Sequence, residues 1–260
     1  NRLAPGIWFP PPRPKILSRG YDLILYYMTG KKLQHIAFIM DGNRRWAKKH
    51  GVPTLEGHKR GYAKVKEVGE WCLHRGVAVM TVWAFSTENW KRAKDEVGYL
   101  MRLLRDALSK DLAFYDEKGI RIRVLGRREP LPLDVLRAVD NAQEKTKNHT
   151  KGTLNIALNY GGHAELVDAT KAIVQQGVAA EAITEKTIEE HLYTAGQPMP
   201  DLIIRTSERR LSGFLSWQSA YSEIYFSDLH WPEFSEEELD RAIGDFRGIE
   251  RRFGGDGKRT

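Results

Sequence analysis

Short apolar runs rich in branched and aromatic residues recur at 36–40, 79–85, 120–125, 154–160 and 202–204, with a further one at 224–226. Their length and composition predict buried strands. Between them the apolar positions take up helical spacing, as in Val97, Leu100, Met101, Leu104 and Leu108. Leu239, Ala242, Ile243 and Phe246 do the same, after Ser235 and Glu238 placed as a capping box. Strand and helix taking turns predicts an α/β fold, a mostly parallel central sheet of about six strands flanked by helices on both faces. No internal repeat or interdomain linker interrupts the pattern after residue 34, so a single domain is expected over 35–255.

The flanks read differently. Residues 8–14 are proline-rich and read as an extended tether. Residues 17–33 place Leu23, Leu25, Tyr26 and Tyr27 between basic ends, the pattern of a short amphipathic helix. Such a helix can pack on its own domain, or it can face a membrane or gate a site. Residues 256–260 read as a flexible tail.

Composition narrows the class only slightly. The 260 residues are 41% hydrophobic and 29% charged, with a formal net charge of +7. That excess points to an anionic partner: nucleic acid, an acidic membrane surface or a phosphorylated small molecule. The single cysteine, Cys72, rules out an internal disulfide and is read as a core residue between Trp71 and Leu73. No apolar stretch reaches the ~20 residues of a membrane span, and the first twelve residues lack a signal-peptide layout. A cytoplasmic protein is expected, with peripheral membrane contact open.

In parallel sheets ligands bind beyond the carboxyl ends of strands, and three strand ends here carry unusual polar groups. The first strand runs into Asp41, Gly42, Asn43, Arg44, Arg45 and Trp46. The glycine permits a close backbone turn, and the arginines can each give a diphosphate charge-assisted bonds worth ~1.5–3 kcal/mol. Asp41 is a hard oxygen ligand suited to magnesium. An Asp-Gly turn in another setting would be only a loop. The second strand ends in Ser86, Thr87, Glu88, Asn89, Trp90, Lys91 and Arg92, which also reads as a helix start. The fifth is followed by Arg205, Arg209, Arg210, Leu211 and Ser212. Elsewhere such a run would be a solvated charge cluster; directly after a buried strand it suits diphosphates.

These segments resemble the cis-prenyltransferase family, which includes undecaprenyl and dehydrodolichyl diphosphate synthases. The resemblance spans nearly everything from His35 to Gly255. It also rests on Gly57-His58, residues 154–162, 192–196 and 217–223, and Arg251-Arg252-Phe253-Gly254-Gly255. It implies condensation of isopentenyl diphosphate onto an allylic prenyl diphosphate, giving a (Z)-polyprenyl diphosphate, with a hydrophobic product tunnel. It further implies that Asp41 holds Mg2+ on the allylic diphosphate while Gly42, Asn43, Arg44, Arg45 and Trp46 cradle that group, with help from His58. Ser86, Thr87, Glu88, Trp90 and Arg92 would line the site, and Asn89 matches the position assigned to proton removal. Arg205, Arg210, Leu211 and Ser212 would bind isopentenyl diphosphate, and Glu223 would join the metal site. Arg252 and Gly254 belong to a tail that reaches the neighbouring subunit's site in family homodimers.

Some positions depart from the family pattern. Thr54 stands where many members have an arginine, Arg44 where many have glycine, and Arg127 and His163 where aspartate and arginine are usual. The loop after Ser207 lacks a common glycine, which brings Arg209 into consideration as a substitute contact. Three rivals remain: a head-to-middle branching prenyl coupler on the same fold, a non-catalytic partner subunit, and a nucleic-acid-binding domain. Arg205, Arg210 and Ser212 favour elongation over branching, and Asp41 with Asn89 argues against a non-catalytic subunit. No nucleic-acid partner is expected. The absence of an Asp-Asp pair disfavours a helical trans-prenyltransferase.

Overall fold

The computed structural model describes residues 33–249; the tether, the amphipathic segment and the tail, with Arg252 and Gly254, lie outside the described residues. Six strands, β1 (His35–Ile39), β2 (Val79–Ser86), β3 (Ile120–Leu125), β4 (Gly152–Tyr160), β5 (Leu202–Thr206) and β6 (Glu223–Ser227), form one sheet in the order β3-β4-β2-β1-β5-β6. Every neighbouring pair is parallel. Among the described residues eight α-helices accompany them: α1 (Asn43–Lys49), α2 (Thr54–His74), α3 (Lys94–Lys110), α4 (Leu112–Glu117), α5 (Leu133–Thr146), α6 (Gly162–Gln175), α7 (Glu185–His191) and α8 (Glu236–Gly248).

Successive residues of a strand face opposite sides of the sheet, and both sides here are apolar. Ile36 and Phe38 of β1 enter a large core with Val68, Val82, Leu108, Val139, Ile156 and Phe246. Ala37 and Ile39 enter a second core with Ala157, Tyr160, Ile203 and Phe214. Two-sided burial explains why β1 reads as a continuous apolar run. Cys72 is a core residue as expected, and burial pushes its thiol up to about 12. Ser235 caps α8 by accepting the Glu238 N–H. The expected reciprocal bond is not the one formed, because the Glu238 carboxylate turns to Tyr225 and Arg241.

An apolar cavity of about 30 Å3 lies between α2, α4 and the sheet, bounded by Val65, Cys72, Leu73, Met80, Phe114, Ile120 and Leu154. It has room for about one water molecule.

The chain leaves β1 towards β2 and returns on its other side as β5. That reversal makes the carboxyl end of β1 a switch point, where open parallel sheets leave a crevice for ligands.

Candidate active site

Asp41 and Gly42 link β1 to α1. Gly42 has φ 102°, and a Cβ there would collide with the Ser207 hydroxyl, so glycine is needed for both conformation and space. The peptide of Asp41 is clamped from β5: its N–H donates to Thr206 Oγ1 at 3.0 Å, and its carbonyl accepts from Thr206 Oγ1 at 2.7 Å. The carboxylate accepts from the Gly42 N–H at 2.6 Å, from Arg205 Nη2 at 2.9 Å, and pairs with Arg45 Nη2 at 3.1 Å. Burial pushes its pKa up, but Arg205, Arg45 and the Gly42 amide outweigh burial and hold the carboxyl below its ordinary value.

Arg205 is 4% exposed. Besides Asp41 it donates through Nη1 to Ser212 Oγ at 2.8 Å and to the Arg210 carbonyl at 2.5 Å. Its Nε is buried without a hydrogen-bond partner. Arg45 and Arg210 both reach Glu208, each at 2.8 Å, so the carboxylate of Glu208 ties α1 to the loop after β5. Leu211 packs against the second core. Arg209 is exposed and paired with Asp228, and so does not join the cluster.

A second cluster lies on the other side of α1. Glu96, in the first turn of α3, meets Arg92 Nη1 at 3.1 Å, His58 Nε2 at 3.1 Å and Arg44 Nε at 3.9 Å. Burial lowers the His58 pKa, Glu96 opposes that, and the net shift is downward. Consecutive helical residues diverge by roughly 100°, which is how Arg44 and Arg45 serve different clusters. Reasoning from the sequence missed Glu96 and Glu208. The spacing of Arg92 and Glu96, i and i+4 on adjoining turns, was the available signal for Glu96.

Asn43 seats α1 on α2. A Cβ at Gly57 would strike the Asn43 carbonyl, and one at Gly61 its Oδ1. That Oδ1 is buried and unpartnered. Trp46 stacks on His50 at 4.4 Å.

At the end of β2, Ser86 caps the 3-10 turn Thr87–Lys91, and Asn89 Oδ1 accepts the Ser86 N–H at 3.0 Å. Trp90 donates to Asn159 at 2.8 Å and packs edge-on against Phe85. For Glu88, burial raises the pKa, but its own amide and the Ser86 and Thr87 side chains carry it below the usual value. Val82 pairs with Phe38, so this turn and the Asp41 loop share one end of the sheet.

Glu223 does not. It pairs with Leu202, which pairs with Ile36, at the amino ends of the strands. Asp41 lies five residues beyond Ile36, roughly 15 Å along the strand direction. Within one chain Glu223 therefore cannot share a metal with Asp41, contrary to the expectation.

Among the described residues no group of three or more His, Cys, Asp or Glu side chains is placed to hold a metal ion. Magnesium is commonly bound by one or two carboxylates together with substrate phosphates and waters. The donor set fits that use: Asp41 with an ion carried by a diphosphate.

Comparison with known proteins bears on the fold and the family. The family model described as "Putative undecaprenyl diphosphate synthase" matches residues 39–254. The "Isoprenyl transferase" of Thermotoga maritima is 47% identical over 226 residues, covering 85% of this chain and 97% of that protein. That of Thermus thermophilus is 46% identical over 254 residues, covering 93% and 96%. Among solved structures, a lavandulyl diphosphate synthase from Lavandula x intermedia in complex with dimethylallyl diphosphate matches with a TM-score of 0.81 at 34% identity, covering 85% of this chain and 98% of that one. A probable undecaprenyl diphosphate synthase from Campylobacter jejuni gives 0.73 at 32% identity, covering 86% and 100%. With its parallel sheet, its switch point at β1 and a matching sequence through nearly all of that domain, the chain belongs to the cis-prenyltransferase family, the isoprenyl transferases.

Proposed function

We propose that the chain condenses isopentenyl diphosphate onto an allylic prenyl diphosphate to give a (Z)-polyprenyl diphosphate, with Mg2+ as cofactor. One observation carries the reading: buried Arg205 joins Asp41 to Ser212 at the switch point, so two anion-binding loops meet at one guanidinium.

The allylic diphosphate lies over the Asp41 loop, facing Arg44, Arg45 and the amides of Gly42 and Asn43. Magnesium held by Asp41 would supply positive charge that stabilises the departing diphosphate. Asp41 holds the position of that ion, while Arg205 and Arg45 keep the carboxylate ionised and oriented. As the allylic C–O bond breaks, the double bond of isopentenyl diphosphate, held by Arg205, Arg210 and Ser212, forms the new C–C bond. Fixed positive groups around the leaving diphosphate stabilise charge that develops in the transition state, usually the largest catalytic contribution.

Loss of a proton then sets the new double bond. Asn89 is a neutral amide whose Oδ1 already accepts from Ser86, so it serves by orienting a substrate through Nδ2. The proton goes to a diphosphate oxygen. Ser86, Thr87, Glu88, Trp90 and Arg92 wall the site, and His58 acts with Arg92 and Arg44 around Glu96. The growing chain follows the apolar face between α2, α3 and the sheet. A homodimer, in which the tail with Arg252 and Gly254 serves the neighbouring site, completes the reading.

The match to a lavandulyl diphosphate synthase supports a second reading, branching coupling of two allylic diphosphates. Purified protein given labelled isopentenyl diphosphate, an allylic starter and Mg2+ should yield products lengthened by five-carbon units, and chelation should stop them. Coupling of dimethylallyl diphosphate alone, without elongation, would favour the branching activity instead.

A further inference from the structure

We propose that Ser207 and His230 form a positioning pair for the Asp41 loop, an inference that rests on the diphosphate reading above. Ser207 follows β5 with φ 69°, in the left-handed region that favours glycine. Its side chain explains what a serine does there. Oγ lies 2.7 Å from His230 Nδ1, 3.2 Å from the Asp41 carbonyl and 3.2 Å from the Leu229 carbonyl. One hydroxyl has one proton and cannot donate to all three. The contacts close when His230 Nδ1–H donates to Oγ and the hydroxyl proton is directed to the two carbonyls.

Both side chains also press on Gly42, where a Cβ would collide with Ser207 Oγ and lie 2.8 Å from His230 Nδ1. The Asp41 carbonyl further accepts the Trp231 N–H at 3.0 Å. The peptide carrying Asp41 is thus held from two directions, by the end of β5 and by the turn after β6. Ser207 is the side chain that bonds to both. Through it, the position of His230 is passed to the carboxylate that faces Arg205 and Arg45.

The test separates positioning from packing. Ser207→Gly suits the backbone and removes the hydroxymethyl group that carries the hydrogen bonds. His230→Asn keeps an N–H near the position of Nδ1, whereas His230→Ala does not, and neither disturbs the backbone of Ser207. Mg2+-dependent binding of a non-reactive thio analogue of an allylic diphosphate is followed by tryptophan fluorescence, alongside the thermal midpoint. Ser207→Gly should keep or raise the midpoint while affinity falls about three- to tenfold, the factor expected for one hydrogen bond. His230→Ala should lose as much, and His230→Asn should recover most of it. Unchanged affinity in Ser207→Gly, or equal losses in the two His230 variants, would overturn the pair. Asp41→Ala in the same assay keeps the two ideas apart. If it too binds normally, the diphosphate reading itself fails; if it alone loses binding, only the positioning pair fails.

Discussion

Arg205, in β5, and Arg210, on the loop that follows, sit in unlike surroundings. Arg205 is buried and bonded to the metal-loop carboxylate, whereas the Arg210 side chain is exposed and pairs with Glu208. The two should therefore fail differently. Arg210→Ala is expected to raise KM for isopentenyl diphosphate about tenfold, the loss of one charge-assisted bond, while KM for the starter stays near wild type. Arg205→Ala should raise KM for isopentenyl diphosphate and also lower kcat, since Asp41 loses its partner. Steady-state kinetics with each substrate varied checks this; a larger effect of Arg210→Ala on the starter would mean that the two diphosphate sites are reversed. At this scale the sequence was informative about which residues gather at strand ends. It was silent on what holds them. For Glu96 only the Arg92 spacing was a local signal, and the tie from Glu208 to Arg45 joins segments far apart in sequence, which leaves no local pattern. The separation of Glu223 from Asp41 within one chain was not legible either, because the position of Glu223 along β6 is set by register with β5, which no single strand encodes.

The elements themselves were legible. Each of the six apolar runs became a strand, and buried parallel strands are the case in which composition speaks most clearly. Less visible was a polar line across the middle of the sheet. His35 of β1 donates through Nδ1 to the Pro198 carbonyl at 2.8 Å, and its Nε2 lies 2.7 Å from Thr81 Oγ1 of β2. Asn155 of β4 donates to the same hydroxyl at 2.9 Å. Burial lowers the His35 pKa to about 4, against the opposing pull of the Pro198 carbonyl and Asp201. A folded-state pKa below the ordinary 6.5 means that the unfolded chain takes up the proton first. Stability is thus intact above pH 6.5 and falls as pH drops towards about 4, by a few kcal/mol in all. His58 adds a change of the same sign. Urea unfolding at a series of pH values should show this slope for the wild type and a shallower one for His35→Asn. An unchanged slope in the variant would remove His35 as its source.

For the whole molecule, the account needs two copies. We propose a homodimer because the tail around Arg252 belongs to a segment similar to those of family dimers. A chain truncated after Arg251 should fold with nearly unchanged stability but lose most activity. Mixed with an Asp41→Ala chain it should regain some, since one site in each mixed dimer has both its tail and its metal carboxylate. Inactivity in demonstrated mixed dimers would refute the shared tail. No helix among the described residues is long and apolar enough to cross a membrane.

The central claim is that the carboxylate at the end of β1, locked by Arg205 and Arg45, is where isoprenoid diphosphate chemistry occurs. Its most direct test is incorporation of labelled isopentenyl diphosphate onto an allylic starter by wild-type and Asp41→Ala protein at saturating Mg2+, with the thermal midpoint of each. The account predicts elongated product from the wild type and a loss of turnover of at least about a hundredfold in the variant, the scale of removing a preorganised charge-stabilising group, with the fold retained. Turnover in Asp41→Ala within a few-fold of wild type would contradict it.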